Sequence, residues 1–125
     1  MARKKNPTLT EAELRLMKVV WEKDRATVSE VLASLPSSNE LAYNTVLTTL
    51  RILEKKGYLR HEKDGRAHVF RPIVSRNQAC QNAVRHMVKG FFNNSPEALM
   101  LSILEHEELD QPELDRLKQM IDNRE

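Results

Sequence analysis

Apolar residues recur along this chain first at helical and then at alternating spacing, and each change of period is marked by polar punctuation. Leu14, Met17, Val20 and Trp21 line one face of a helix running to about Lys23. Its start is set by Thr10 as N-cap with Glu13 three residues on, and Leu9 and Leu14 are placed as a hydrophobic staple. Thr27 with Glu30 repeats the capping box and opens a short helix whose Val28, Val31, Leu32 and Leu35 form the apolar stripe before Pro36 stops it. After the polar turn Ser37-Ser38-Asn39, a third helix runs from Leu41 or Ala42 to Lys56, ended by Gly57 as a left-handed cap. Three short helices in this order, with a tight polar turn before the third, predict a helix-turn-helix.

Beyond Gly57 the period becomes extended. Tyr58-Leu59-Arg60-His61-Glu62 and Ala67-His68-Val69-Phe70-Arg71 flank Lys63-Asp64-Gly65-Arg66, in which Asp64-Gly65 is the pair favoured for a two-residue type I′ hairpin. This predicts a β-wing, with His61 and His68 facing each other on it. Pro72 closes the hairpin, and helical spacing then returns. Ser75 with Gln78 opens a long helix to about Asn93 bearing Cys80, Val84, Met87, Val88 and Phe91, and Ser95-Pro96 opens another with Leu99, Met100, Ile103 and Leu104. Gln111-Pro112 repeats that signal before a last helix with Leu114, Leu117 and Ile121 on one side. The predicted fold is mainly α with a small β-hairpin: an N-terminal winged helix-turn-helix over residues 1–73 and a C-terminal helical dimerisation region over 74–125. Three such helices are too few and too short to bury their own apolar surface. Val84, Met87, Phe91, Leu99, Ile103, Leu104, Leu114, Leu117 and Ile121 are therefore expected to meet a second copy of the chain.

The third helix has two distinct sides. Val46, Leu50 and Leu53 recur at i, i+4, i+7 and form an inward stripe. Asn44, Thr48, Arg51 and Lys55 share a narrow sector nearly opposite, which in a helix-turn-helix faces the DNA major groove. Arg51 can offer two donors to a guanine edge, Asn44 can pair with adenine, and Thr45 and Thr48 can meet a thymine methyl or a phosphate oxygen. Tyr43 belongs to the same expected surface. Lys55 and Lys56 read as phosphate contacts, and Lys63 and Arg66 at the wing tip suit the flanking backbone or minor groove. Arg60 and Arg71 on the strands add to the wing's charge, and Arg3-Lys4-Lys5 suits either phosphate contact or a solubilising tail.

Charge sharpens this picture. The net +2 of the 125 residues hides a split: 14 Lys+Arg against 9 Asp+Glu up to Ile73, and 6 against 9 from Val74 onward. A basic front half attracts polyanions because phosphate neutralisation releases condensed counterions, whereas the acidic rear half must have another task.

Other chemistry finds little support. The single cysteine, Cys80, excludes an internal disulfide and reads as a small buried apolar residue within its helix stripe. Four histidines are scattered, with none set beside a spaced carboxylate or cysteine. Glu105-His106-Glu107-Glu108 points in different directions around a helix, and no Cys/His spacing suits zinc. The expectation is no catalytic residue, no cofactor site, no metal site and no enzyme activity. No apolar run is long enough to enter a membrane and the basic start MARKKNPT lacks a signal peptide's apolar stretch, so a cytoplasmic protein is expected. Two other readings remain open on the residues alone: a winged-helix module that binds a partner protein, and a regulator responsive to a small ligand.

The segments Leu9-Thr10 through Val20-Trp21-Glu22, Asn44-Thr45-Val46 through Leu53-Glu54-Lys55-Lys56-Gly57, the wing, and Leu99-Met100-Leu101-Ser102-Ile103 with Glu107-Glu108-Leu109 after it resemble, jointly and in order, the penicillinase-repressor family of BlaI/MecI/CopY-type winged-helix repressors. The resemblance spans nearly all of residues 9–121. It implies a homodimer held by the C-terminal helices that binds a palindromic operator and blocks transcription. It also implies a membrane-sensor-linked protease as partner, cutting the dimerisation region at an Asn-Phe bond; the aligned pair here, Ser102-Ile103, keeps the position and changes both residues. Copper-responsive relatives use paired cysteines near the C-terminus, which this chain lacks, and Leu47 stands where relatives can carry a basic residue.

Overall fold

The computed structural model describes residues 8–36 and 42–124. The basic Arg3-Lys4-Lys5 and the Ser37-Ser38-Asn39 turn lie outside the described residues. Helix α1 (Glu11–Lys23) begins as its capping box requires: Thr10 Oγ1 accepts from the Glu13 backbone N–H at 3.1 Å, and Glu13 Oε1 accepts from that of Thr10 at 2.8 Å. It ends at Asp24, which is left-handed with φ 68°. Strand β1 (Ala26–Thr27) follows, and Thr27 also caps α2 (Val28–Ser34) by the same reciprocal bonds to Glu30, at 3.1 and 2.8 Å. Helix α3 (Tyr43–Lys55) closes on Gly57, whose φ of 89° needs no Cβ.

Strands β2 (Leu59–Asp64) and β3 (Ala67–Pro72) form the wing, and β1 pairs antiparallel with β3 to complete a sheet of order β1-β3-β2. The β1 pairings, Ala26 with Phe70 and Thr27 with Val69, were not anticipated, because two residues carry no readable alternation. The hairpin turn is shifted by one residue from expectation. The ladder runs through the pair Asp64–Ala67, so the two-residue loop is Gly65-Arg66, and only Gly65 has a positive φ, 64°. A glycine at the first loop position fits a type II′ turn, not the expected type I′ over Asp64-Gly65.

The core gathers Leu16, Met17 and Val20 of α1, Val28 and Val31 of α2, Val46, Leu50 and Leu53 of α3, and Tyr58, Leu59 and Phe70 of the wing base. The α1 stripe is rotated slightly from expectation, so that Leu16 is buried and Leu14 is exposed. Trp21 packs against the core at its margin. Its Nε1–H donates to the Val74 carbonyl at 2.8 Å, and the Arg76 guanidinium lies 5.6 Å from its ring centre.

Val74 and Ala79 also belong to this core, and the first compact unit accordingly extends to His86, with the second beginning at Met87. The start of α4 (Arg76–Phe91) packs with the winged helix. Ser75 Oγ accepts from the Gln78 N–H at 3.0 Å, while the Gln78 side chain donates to Asn82 rather than turning back to Ser75. Cys80 is exposed, contrary to its reading as a buried apolar residue. One residue is about 100° around a helix, and Ala79 takes the inward position instead.

α4 stops at Phe91, two residues short of expectation, where Asn93 and Asn94 turn left-handed. In the second unit, α5 (Pro96–His106) is capped by Ser95 Oγ, at 3.1 Å from the Ala98 N–H. α6 (Gln111–Asp122) is capped by Asp110, whose Oδ1 lies 2.9 Å from the Glu113 N–H. The Gln111-Pro112 signal points to a cap at Gln111, but the short Asp110 carboxylate reaches the Glu113 N–H, while the Gln111 amide bonds Asp115 along the helix. Neither α5 nor α6 buries any residue.

Candidate nucleic-acid interface

Helix α3 is seated by Val46, Leu50 and Leu53, each fully buried, and this fixes what its other side presents. Asn44, Thr45, Thr48, Arg51 and Lys55 are all exposed, and Tyr43 at the helix start is 48% exposed. Four of them, Asn44, Thr48, Arg51 and Lys55, form the outward ridge expected from their spacing. Two threonine hydroxyls on the helix are already engaged, Thr48 Oγ1 donating to the Asn44 carbonyl at 2.8 Å and Thr49 Oγ1 to that of Thr45 at 2.9 Å.

The wing stands beside this ridge. Lys63 and Arg66 are exposed, and Arg66 joins Arg51 and Tyr43 in lining a cleft closed on its other walls by Thr27, Ser29 and His68. Sequence reasoning missed these last three. Thr27 was visible only as a cap, Ser29 carries no pattern, and His68 enters through strand register.

Lys56 behaves differently from Lys55. Its Nζ donates to Glu13 Oε1 at 2.6 Å and to the Thr8 carbonyl at 3.4 Å, so it ties the end of α3 to the start of α1. Burial penalises the Glu13 charge, yet the Lys56 ammonium and the bonds from Thr10 together hold its carboxyl below the ordinary value of 4.5.

The electrostatics of this face are asymmetric in a useful way. Its acids each have a partner: Glu54 accepts from the His61 ring at 2.7 Å, Glu62 pairs with Arg60 and Arg71 at 3.3 Å, and Asp64 with Arg25 at 3.6 Å. Among the described residues, Arg51, Lys55, Lys63 and Arg66 form no ion pair and keep their charge for an external anion. Exposed cations beside partnered acids leave this face net basic.

Other candidate residues fall as follows. Ser102 and Ile103 lie inside α5, the former half-buried and the latter exposed, and the His106 ring bonds the Ser102 carbonyl through Nδ1 at 2.9 Å. Of the expected dimer residues, Val84, Met87, Phe91, Ile103, Leu104, Leu117 and Ile121 are exposed, Phe91 by 83%, while Leu99 and Leu114 are half-buried. Met100, Leu101 and Met120 extend the exposed apolar set. A second cleft, between α1 and the start of α4, is lined largely by Leu9, Leu14, Trp21, Tyr58 and Cys80. Among the described residues no group of three or more His, Cys, Asp or Glu converges as metal ligands, and no helix is long and apolar enough to cross a membrane.

An exposed polar helix, seated by its apolar side and flanked by a basic hairpin, defines a winged helix-turn-helix protein. A family model described as penicillinase repressor matches residues 9–123, and the chain belongs to that family. It is 30% identical over 119 residues to a penicillinase repressor from Bacillus licheniformis, covering 95% of this chain and 93% of that one. Among solved structures, the DNA-binding domain of the repressor BlaI superposes with a TM-score of 0.54 at 36% identity, covering 61% of this chain and 93% of that one. The monomeric Bacillus licheniformis BlaI in complex with the blaP half-operator matches over the same shares at 36% identity, with a TM-score of 0.51.

Proposed function

We propose that this chain is a transcriptional repressor that binds a palindromic operator as a homodimer in the cytoplasm, acting by occupancy and not by catalysis. The observation that carries the reading is the exposed ridge of Asn44, Thr48, Arg51 and Lys55 with Arg66 beside it, on a chain whose BlaI relative was solved on half-operator DNA. In this reading Arg51 and Asn44 meet base edges, Thr45 and Thr48 meet a thymine methyl, and Lys55, Lys63 and Arg66 meet phosphates. Tyr43 lines the cleft in which a backbone strand would run. Lys56 serves at one remove, by fixing the end of α3 against α1.

Surface energetics support a second copy. α5 and α6 bury no residue within the protomer, and each large apolar side chain removed from water contributes roughly 1.5–3 kcal/mol. Val84, Met87, Phe91, Leu99, Ile103, Leu104, Leu114, Leu117 and Ile121 form the interface in this reading, and two reading helices then lie about one DNA turn, or a small multiple, apart. A sensor-linked protease is the partner that the family resemblance implies for release. Cleavage at Ser102-Ile103 requires α5 to open first, because a protease binds its substrate extended.

The deciding experiment is footprinting on the DNA around the chain's own gene, with salt titration. Protection of two symmetric half-sites, weakening steeply with salt, supports the reading. Absence of any salt-dependent duplex binding rejects it and favours a winged-helix module for a protein partner.

A further inference from the structure

Helix α3 carries one acid, Glu54, one residue before Lys55 on the helix that would enter the groove. A free carboxylate there would be repelled by every nearby phosphate. The structure gives it a partner from the wing: His61 Nδ1 lies 2.7 and 2.8 Å from the two carboxylate oxygens. A carboxylate can only accept, so Nδ1 carries the proton and donates. The bond crosses between elements, from α3 to β2. His61 then stacks on His68 of β3, with ring centres 4.9 Å apart and planes 26° from parallel, and His68 lines the cleft shared by Arg51 and Arg66. Glu54, His61, His68 and the Arg51–Arg66 cleft therefore form one continuous path from reading helix to wing.

We propose that Glu54 and His61 are a positioning pair for DNA binding: His61 masks the sole carboxylate of the reading helix and, through it, sets the wing at the angle that brings Arg66 to the cleft beside Arg51. The proposal rests on the DNA-binding reading above. It differs from a generic surface ion pair by assigning the two residues unequal roles. Loss of His61 leaves a bare acid beside DNA, whereas conversion of Glu54 to an amide removes the charge and keeps an acceptor for Nδ1.

The test is fluorescence anisotropy of the full chain on duplex from its own gene region, comparing wild type with His61→Ala, Glu54→Gln and the double variant, with thermal unfolding of each. His61→Ala should weaken binding about three- to tenfold, Glu54→Gln should stay near wild type, and the double variant, freed of the bare carboxylate but still without the bond, should fall between the two. His61→Gln, whose amide still donates, should rescue most of the loss and stands in if His61→Ala does not fold. Wild-type affinity in His61→Ala, or in its absence no difference between His61→Gln and a His61→Leu variant, overturns the proposal. So does a double variant as weak as His61→Ala, which would mean that the unmasked carboxylate costs nothing. Failure of the wild type itself to bind any duplex would instead strike the DNA-binding reading, so the two failures are told apart.

Discussion

Glu13 and Lys56 are joined by a 2.6 Å ion pair across 43 residues of sequence, with the Glu13 side chain only 7% exposed. The carboxylate that completes the cap of α1 thus also anchors the end of α3. Removing Lys56 leaves a nearly buried charge unmatched, and Lys56→Met should cost on the order of 2 kcal/mol. The pH dependence follows from the direction of the Glu13 shift. Because its folded carboxyl sits below the ordinary 4.5, its contribution is fully present above that value and is lost as pH falls through the lowered folded one. Thermal unfolding of wild type and Lys56→Met should therefore differ at pH 7 and converge in acid.

Arg51→Ala removes the longest donor on the ridge while leaving its seat of Val46, Leu50 and Leu53 untouched. If Arg51 reads a base, operator affinity should fall by roughly 1–3 kcal/mol and preference at one base position should relax. Binding assays against a set of operators varied at single positions measure both effects. Unchanged affinity and unchanged preference would remove Arg51 from the reading set.

Lys55→Ala should behave otherwise. A phosphate contact carries no sequence information, so affinity should drop for all duplexes alike and the slope of log affinity against log salt should shrink by about 1. A sequence-dependent loss would place Lys55 at a base instead.

Leu104 and Leu117 are 54% and 44% exposed in the protomer. Leu104→Glu or Leu117→Glu should yield a monomer by sedimentation and lower operator affinity by about 100-fold or more, since two linked half-site contacts become independent. Circular dichroism should be little changed in the winged-helix half. A variant that still sediments as a dimer would relocate the interface.

How much of this was legible in sequence depends on the range of the interaction. The helix starts at Thr10, Thr27 and Ser95 were read correctly because a cap is decided within four residues. The inward Val46-Leu50-Leu53 stripe and the outward ridge followed from one angle per residue, and the wing from a change of period. The errors lie where three-dimensional pairing decides. Strand register moved the turn onto Gly65-Arg66, and Ala79 displaced Cys80 from the inward side. Lys56 and Lys55 look alike in sequence, and only Glu13, far away along the chain, tells them apart. The same holds for Glu54, an unremarked acid until His61 is brought beside it.

The backbone bonds of Thr48 and Thr49 carry a last consequence. Each hydroxyl has one proton, and both protons are committed to carbonyls of the preceding turn. What Thr48 retains for an approaching duplex is lone pairs and a methyl, so it suits a hydrocarbon contact or an exocyclic amine and has nothing to donate to a phosphate oxygen. If Thr48 meets a base, recognition there is partly a matter of fit: a pyrimidine lacking its 5-methyl should be discriminated by shape, without any hydrogen bond changing hands.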